Sequence, residues 1–256
     1  MSQLRFHRQL EGKSLAHLIT GEDGQKYVVK AVTPGFDKTL LNEWIGYCFA
    51  RFLQLPVPRS SIIHLPQPFY EQQASLDPLL YTPEQFASSY IPNAVNVMHH
   101  PLPEKLFNPE VIAPLIVFDY WLCNVDRTKK NVLLTDEADG FARLWFIDQA
   151  EILGSPNWNT NTLQRLPLRL LKSSIHMMLA KHVSNEREFW DALEIVHSIP
   201  SMLIEEVVHT LPASWPVTDA EKKELVNTLV KRKQKHLQTL MRLFYHEIYL
   251  PSKNQL

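Results

Sequence analysis

Glycine is scarce in this chain: there are 7 in 256 residues, and no G-x-G-x-x-G occurs. No glycine-rich phosphate loop can therefore be read from a motif. Cysteine is scarcer still. Cys48 and Cys123 are the only two, and both fall in apolar helical patterns. That excludes a disulfide framework and fits reduced core residues of a cytoplasmic protein. No C-x-x-C or H-E-x-x-H pairing points to zinc. Uncharged apolar runs stay far below the roughly 20 residues of a membrane span. The opening MSQLRFHRQL has no apolar signal core. Charge of one sign is missing too, with 26 basic against 27 acidic residues. Nothing global steers the chain to nucleic acid or to an anionic membrane. Internal repeats, low-complexity segments and linkers are also absent.

What is present is ordinary globular material, 45% hydrophobic and 21% charged. The length suffices for one large domain or two lobes. The 18 prolines cut it into short segments.

The informative stretch runs from Asp119 to Asp148. Leu115 to Cys123 is apolar enough for a buried helix, and Asn124 breaks the pattern. Val132 to Leu134 and Leu144 to Ile147 suit short buried strands, with a turn at Glu137 to Gly140. Asp126, Asn131 and Asp148 then stand at loop and strand ends. Phosphoryl transfer needs a carboxylate to orient the attacking hydroxyl and oxygen ligands to hold magnesium on the phosphates. D-x-x-x-x-N followed by a hairpin ending in Asp is how protein kinases arrange those groups. In that reading Asp126 is the base, and Asn131 and Asp148 are the metal ligands. Taken alone, the segment also fits a polar hairpin without chemistry, because Asp and Asn are common turn residues.

Such a site needs a phosphate-clamping lysine on an earlier strand and a helix glutamate to hold it. Tyr27-Val28-Val29-Lys30 is a β-branched strand ending in lysine, preceded by the strong turn Gly21 to Gly24. A helix capped by Asp37 or Thr39 is expected to run to about Leu53. Its apolar stripe includes Leu40, Leu41, Ile45 and Phe49, with Glu43 beside it.

Elsewhere Ser60 to Leu65 reads as a strand. Thr82-Pro83-Glu84 reads as a helix cap with a first-turn proline, and Asn93 to Pro103 as loop. Past Asp148 the chain reads as helical. Thr218 and Glu221 form a capping box opening a long helix to about Tyr249. Lys231, Arg232, Lys233, Lys235 and His236 on that helix read as a solvated basic face.

Four segments carry a resemblance: GEDGQKYVVKA, LLNEWIGYCFARFLQLPVP, FDYWLCNVDRTKKNVLL and LWFIDQAEIL. With the segment between the first two strands they span Gly12 to Leu153. The chain resembles the HipA-like kinase family in its short stand-alone form. The resemblance implies an ATP-dependent kinase using ATP and Mg2+, bacterial and cytoplasmic. By match, Lys30 contacts the phosphates, Glu43 pairs with it, and Asp126, Asn131 and Asp148 form the catalytic and metal set. A nucleotide roof is expected at Gly12 and Ser14. The crossing between lobes, which in the family touches adenine through its backbone, is expected at Ser88 to Ile91, with Ser89 as contact.

The implied fold is α+β and bilobal. Residues 1–92 would form a small antiparallel-sheet lobe with one helix, and residues 93–256 a mainly helical lobe with the catalytic loop. The implied acceptor is an unidentified hydroxyl, by resemblance a protein Ser or Thr, with no membrane or nucleic-acid partner. Two alternatives stay open: an ATP-binding pseudokinase acting as scaffold, and a small-molecule or lipid phosphotransferase. The chain departs from the family pattern at Gln149-Ala150, where a His or Phe and then a Gly are usual, and at the glycine-poor roof. The first departure bears on metal geometry.

Overall fold

The computed structural model describes residues 4–11, 15–74, 76, 81–171 and 173–253. The first strands follow the expected hairpin: β1 (Arg5–Gln9), β2 (His17–Thr20) and β3 (Lys26–Lys30). Helix α1 (Thr39–Phe52) comes next, then β4 (Ser60–His64), the short α2 (Gln67–Glu71) and β5 (Glu84–Ser89). The five strands form one sheet in the order β1-β2-β3-β5-β4. Every neighbouring pair is antiparallel. The expected helix start at Thr82 is wrong. Thr82 Oγ1 instead donates to Glu84 O at 2.9 Å, and the chain enters β5, which pairs on both sides. A polar residue before a proline signals a break in structure, and only tertiary pairing decides that a strand follows.

Helix α1 packs against β4 and β5. Neither Asp37 nor Thr39 caps it; the N-cap is Lys38, with no side-chain cap bond. The Lys38 ammonium instead reaches Glu221 at 3.0 Å and the carbonyl of Pro216.

A second sheet follows, with β6 (Val95–Asn96), β7 (Val132–Asp136) and β8 (Ala142–Phe146) in that order. β6 lies inside the stretch expected to be loop. Between β6 and β7 runs α3 (Ile112–Leu122), buried at ten of its eleven positions. An all-apolar helix is stable only when surrounded. It ends at Cys123, whose φ of 51° is left-handed, just before Asn124.

After β8 come α4 (Thr160–Gln164), α5 (Ser174–Ala180), α6 (Arg187–Ser198), α7 (Ser201–His209) and α8 (Asp219–Lys231). The Thr218–Glu221 capping box is present with both bonds. The long helix continues through π-helical turns at Arg232–His236 and Tyr245–Tyr249, with α9 (Leu237–Phe244) between them and α10 (Leu250–Lys253) after. Arg232 and Lys233 lie three and four residues after buried Leu229, so two residues of the basic run continue the inward face of α8. Arg232 donates to the carbonyls of Tyr120 (2.8 Å) and Trp121 (2.9 Å) at the end of α3. Lys233 reaches the carbonyls of His197 (3.2 Å) and Ile199 at the end of α6. Cations on helix C-terminal carbonyls are favourable, so these two serve structure and the solvated-face expectation fails for them.

One main core joins the two parts. Leu40, Leu41, Ile45 and Phe49 of α1 belong to the same cluster as Phe118, Trp121 and Phe244. The Phe49 and Trp121 rings meet edge-on at 4.8 Å. Among the described residues, no helix is long and apolar enough to cross a membrane.

Candidate active site

Lys30 ends β3, and its register opposite Phe86 of β5 fixes its direction. Glu43 projects from α1. The Lys30 ammonium is ion-paired to Glu43 Oε1 and lies 2.9 Å from Asp148 Oδ1. Lys30 and Glu43 are buried, while the Asp148 side chain keeps about a third of its surface exposed. Asp148, more than a hundred positions from the other two, therefore shares one charged cluster with Lys30 and Glu43. Burial works against the Lys30 charge, but Asp148 and Glu43 together raise its pKa above the usual lysine value. Burial pushes the Glu43 carboxyl up to about 7, with the Asp148 charge adding to it and Lys30 opposing. Burial also works to raise Asp148, yet the Lys30 charge overrides it and holds the group at about 2.

A cleft of about 370 Å³ is lined by both sheets. Val28, Phe86, Leu133 and Phe146 give it apolar walls; Lys30, Glu43, Asp148 and Gln149 give it a charged end. Ser88, Ser89, Tyr90 and Ile91 also line it. The backbone N–H of Ser89 already donates to Arg59 O (2.8 Å), and that of Tyr90 to Lys26 O (2.9 Å). Gly12 and Ser14, the expected roof, lie outside the described residues.

Asp126 and Asn131 are not among the residues lining this cleft. They sit on the loop after α3 and are tied to each other, with Asn131 Nδ2 donating to Asp126 O at 2.6 Å. The loop is fastened to the strand leading to Asp148, because the Ile147 N–H donates to Asn131 O at 3.1 Å.

Arg127 makes the larger connection, and the sequence reading missed it. Its buried guanidinium donates to Ile147 O (2.7 Å), to Gln149 Oε1 (2.7 Å) and to both oxygens of Asp119 (2.9 and 3.1 Å). Asp119 also accepts from Asn124 Nδ2 (3.0 Å) and pairs with His176 Nε2 of α5 (2.8 Å). Burial tends to raise Asp119, but Arg127 and His176 outweigh it and hold the carboxyl below its ordinary value. A signal was available. A charged residue inside an apolar helix needs a buried partner, and Arg127 lies eight residues on.

The segment after Asp148 is locked as well. Asn42 Nδ2 donates to the carbonyls of Ala150 (2.6 Å), Ile152 (3.2 Å) and Ser155 (3.2 Å), and Asn42 Oδ1 accepts from Trp158 Nε1 (2.7 Å).

Asp148 offers a carboxylate oxygen and Asn131 a carboxamide oxygen, the hard donors that magnesium prefers. Lys30 Nζ and the Ala150 N–H both donate to Asp148 Oδ1 (2.9 and 3.3 Å). The described residues contain no cluster of three or more His, Cys, Asp or Glu side chains arranged for a metal alone.

A five-stranded antiparallel sheet with one packed helix, a helical remainder and a buried lysine–glutamate pair at the junction define a bilobal, protein-kinase-like fold. Solved structures share it, among them two kinases. The Helicobacter pylori proinflammatory kinase CtkA superposes with a TM-score of 0.62 at 13% identity, covering 94% of this chain and 95% of that one. The Golgi casein kinase with Mn/ADP bound gives 0.57 at 12% identity, covering 94% and 73%. No curated protein matches the sequence. Residues 5–248 match the family described as HipA-like kinase, and the chain belongs to that family.

Proposed function

We propose that this chain is an ATP- and Mg2+-dependent kinase that phosphorylates a hydroxyl, on a Ser or Thr of a protein. The observation that carries this is the Lys30 ammonium held between Glu43 and Asp148 at the charged end of one cleft. Lys30, kept charged by its two carboxylates, binds the phosphates, and Glu43 aims it. The backbone from Ser89 onward meets the adenine. Asp148 and Asn131 hold the ion, which supplies charge neutralisation on the phosphates when bound. Asp126 orients the acceptor hydroxyl and takes its proton as the acceptor oxygen bonds to the γ-phosphorus. The bond from that phosphorus to the bridging oxygen breaks, and ADP leaves. The mainly positional nature of this chemistry explains why five side chains suffice.

The test is incubation with γ-labelled ATP and magnesium, with a panel of protein acceptors. Wild type should transfer label to itself or to an acceptor. Asp126→Asn should lose at least about 100-fold in kcat with little change in KM for ATP. Asp148→Asn should lose transfer and magnesium-dependent binding together. Nucleotide binding without any turnover would instead make the chain a scaffold, and transfer only to small molecules or lipids would replace the acceptor class.

A further inference from the structure

Gln149 stands where the family usually carries a different residue, and it is 4% exposed. It is held from three directions. Its backbone N–H donates to Glu43 Oε2 at 3.1 Å. Its Oε1 accepts from Arg127 Nη2 at 2.7 Å, with Asn124 Nδ2 at 3.5 Å. Its aliphatic stem lies against Gly46 of α1 so closely that a Cβ on residue 46 would come within 2.6 Å of Gln149 Cβ and 2.7 Å of its Cγ. Glycine in a helix interior is unfavourable on propensity alone, and this approach is what requires it.

The residue thus held in place flanks a strained one. Asp148 has a φ of 61°, left-handed for a residue with a side chain. Such conformations persist only when the surroundings over-determine them. Arg127 grips both sides of Asp148, through Ile147 O before it and Gln149 Oε1 after it. An aromatic or aliphatic side chain at 149 would offer Arg127 no acceptor.

We infer that Gln149 is a positioning residue: by joining Glu43 and Gly46 of α1 to the catalytic-loop Arg127, it holds Asp148 in the strained conformation that presents its carboxylate to a metal–nucleotide complex. This rests on the cleft being the nucleotide site. It also makes the Asp148 segment a rigid part of the molecule. Turning Asp148 out of the cleft breaks a charge-assisted bond to a buried guanidinium, which is costly.

The experiment measures binding of a fluorescent ADP analogue to the full chain, with Mn2+ and with chelator, for wild type, Asp148→Asn, Gln149→Leu, Gln149→Glu and Gly46→Ala. Circular dichroism and thermal melting establish that each variant is folded. Wild type should gain affinity with Mn2+, and Asp148→Asn should lose that gain. Gln149→Leu should bind as wild type in chelator but lose about tenfold or more of the Mn2+ gain, the usual effect of removing a residue that orients a ligand. Gln149→Glu, which restores an acceptor for Arg127, should recover most of it. A purely structural role would lower affinity equally with and without the ion. If Gln149→Leu does not fold, Gly46→Ala decides: the gain lost supports the inference, the gain kept overturns it. A Gln149→Leu protein with the full Mn2+ gain overturns it while leaving the cleft reading intact. No Mn2+ gain in wild type, or a gain kept by Asp148→Asn, removes the cleft reading and this inference with it.

Discussion

Two buried carboxylates sharing one ammonium leave an excess negative charge in the cluster, and the protein assigns it unequally. Asp148 keeps its charge, while Glu43 is lifted to about 7 from an ordinary 4.5. The folded chain therefore holds a proton on Glu43 more tightly than the unfolded chain does. The stability this group contributes is fully present below pH 4.5 and is lost as pH rises through about 7. Urea unfolding of wild type and Glu43→Gln across that window should show the wild type losing ground relative to the variant as pH rises. A gap that widens in favour of the wild type would contradict this assignment. Lys30, Glu43 and Asp148 were legible in the sequence because each closes a recognisable local pattern: a strand end, a helix position, a strand end. Asp119, Arg127 and His176 were not, because they act through contacts that no local periodicity encodes.

Among the elements, α1 is the one that fastens the segment after Asp148. Glu43 and Gly46 meet Gln149, while Asn42 spans three carbonyls and one indole beyond Asp148. Asn42→Ala removes those bonds; Ile152 O keeps the Ser155 N–H at 3.4 Å, and the cost is about 1–3 kcal/mol for each buried group that finds no replacement. The expected loss is at least about 2 kcal/mol on that scale, seen as a lower urea midpoint with an unchanged slope. A change below about 0.5 kcal/mol would place the variant among ordinary surface substitutions and refute the locking role. The helix itself was legible, since its apolar residues recur at helical spacing. Its cap was misread because Lys38 takes the position through distant partners. The inward position of Arg232 and Lys233 escaped for a related reason: their charge reads as solvated, and the distant helix-end carbonyls that receive them are not visible in the local pattern.

Across the whole molecule, one core cluster runs from α1 into the helices around α3, and polar contacts fasten the same junction. Beside those of the segment after Asp148, the loop after α7 and the start of α8 supply several. Trp215 Nε1 donates to Glu84 O at 2.9 Å, Ser214 Oγ donates to Glu84 Oε2 at 2.5 Å, and Glu221 of α8 takes the Lys38 ammonium. Trp44 Nε1 adds a bond to Thr210 Oγ1 at 2.8 Å. The two lobes should therefore melt together, in a single calorimetric transition whose van't Hoff and calorimetric enthalpies agree. Trp215→Ala, which empties a buried site at the junction, should cost about 3–5 kcal/mol and lower that transition. Two resolved transitions in the wild type would show that the junction is weak. The bilobal layout was legible in the sequence through the resemblance to the HipA-like kinase family. The fastening was not, since its partners lie far apart along the chain.

That separation carries a consequence for biosynthesis. Lys38 and Glu221 are 183 residues apart, and Glu84 lies 131 residues before Trp215. The small sheet leaves the ribosome early, yet part of the surface it docks on is translated more than a hundred residues later. Domains generally fold in order of synthesis, but here the first-made portion keeps one side of its junction uncovered until the loop at 210–218 and the start of α8 emerge. Ribosome-stalled chains ending before that loop should be cut readily by protease in their N-terminal half, and chains extended past it should resist.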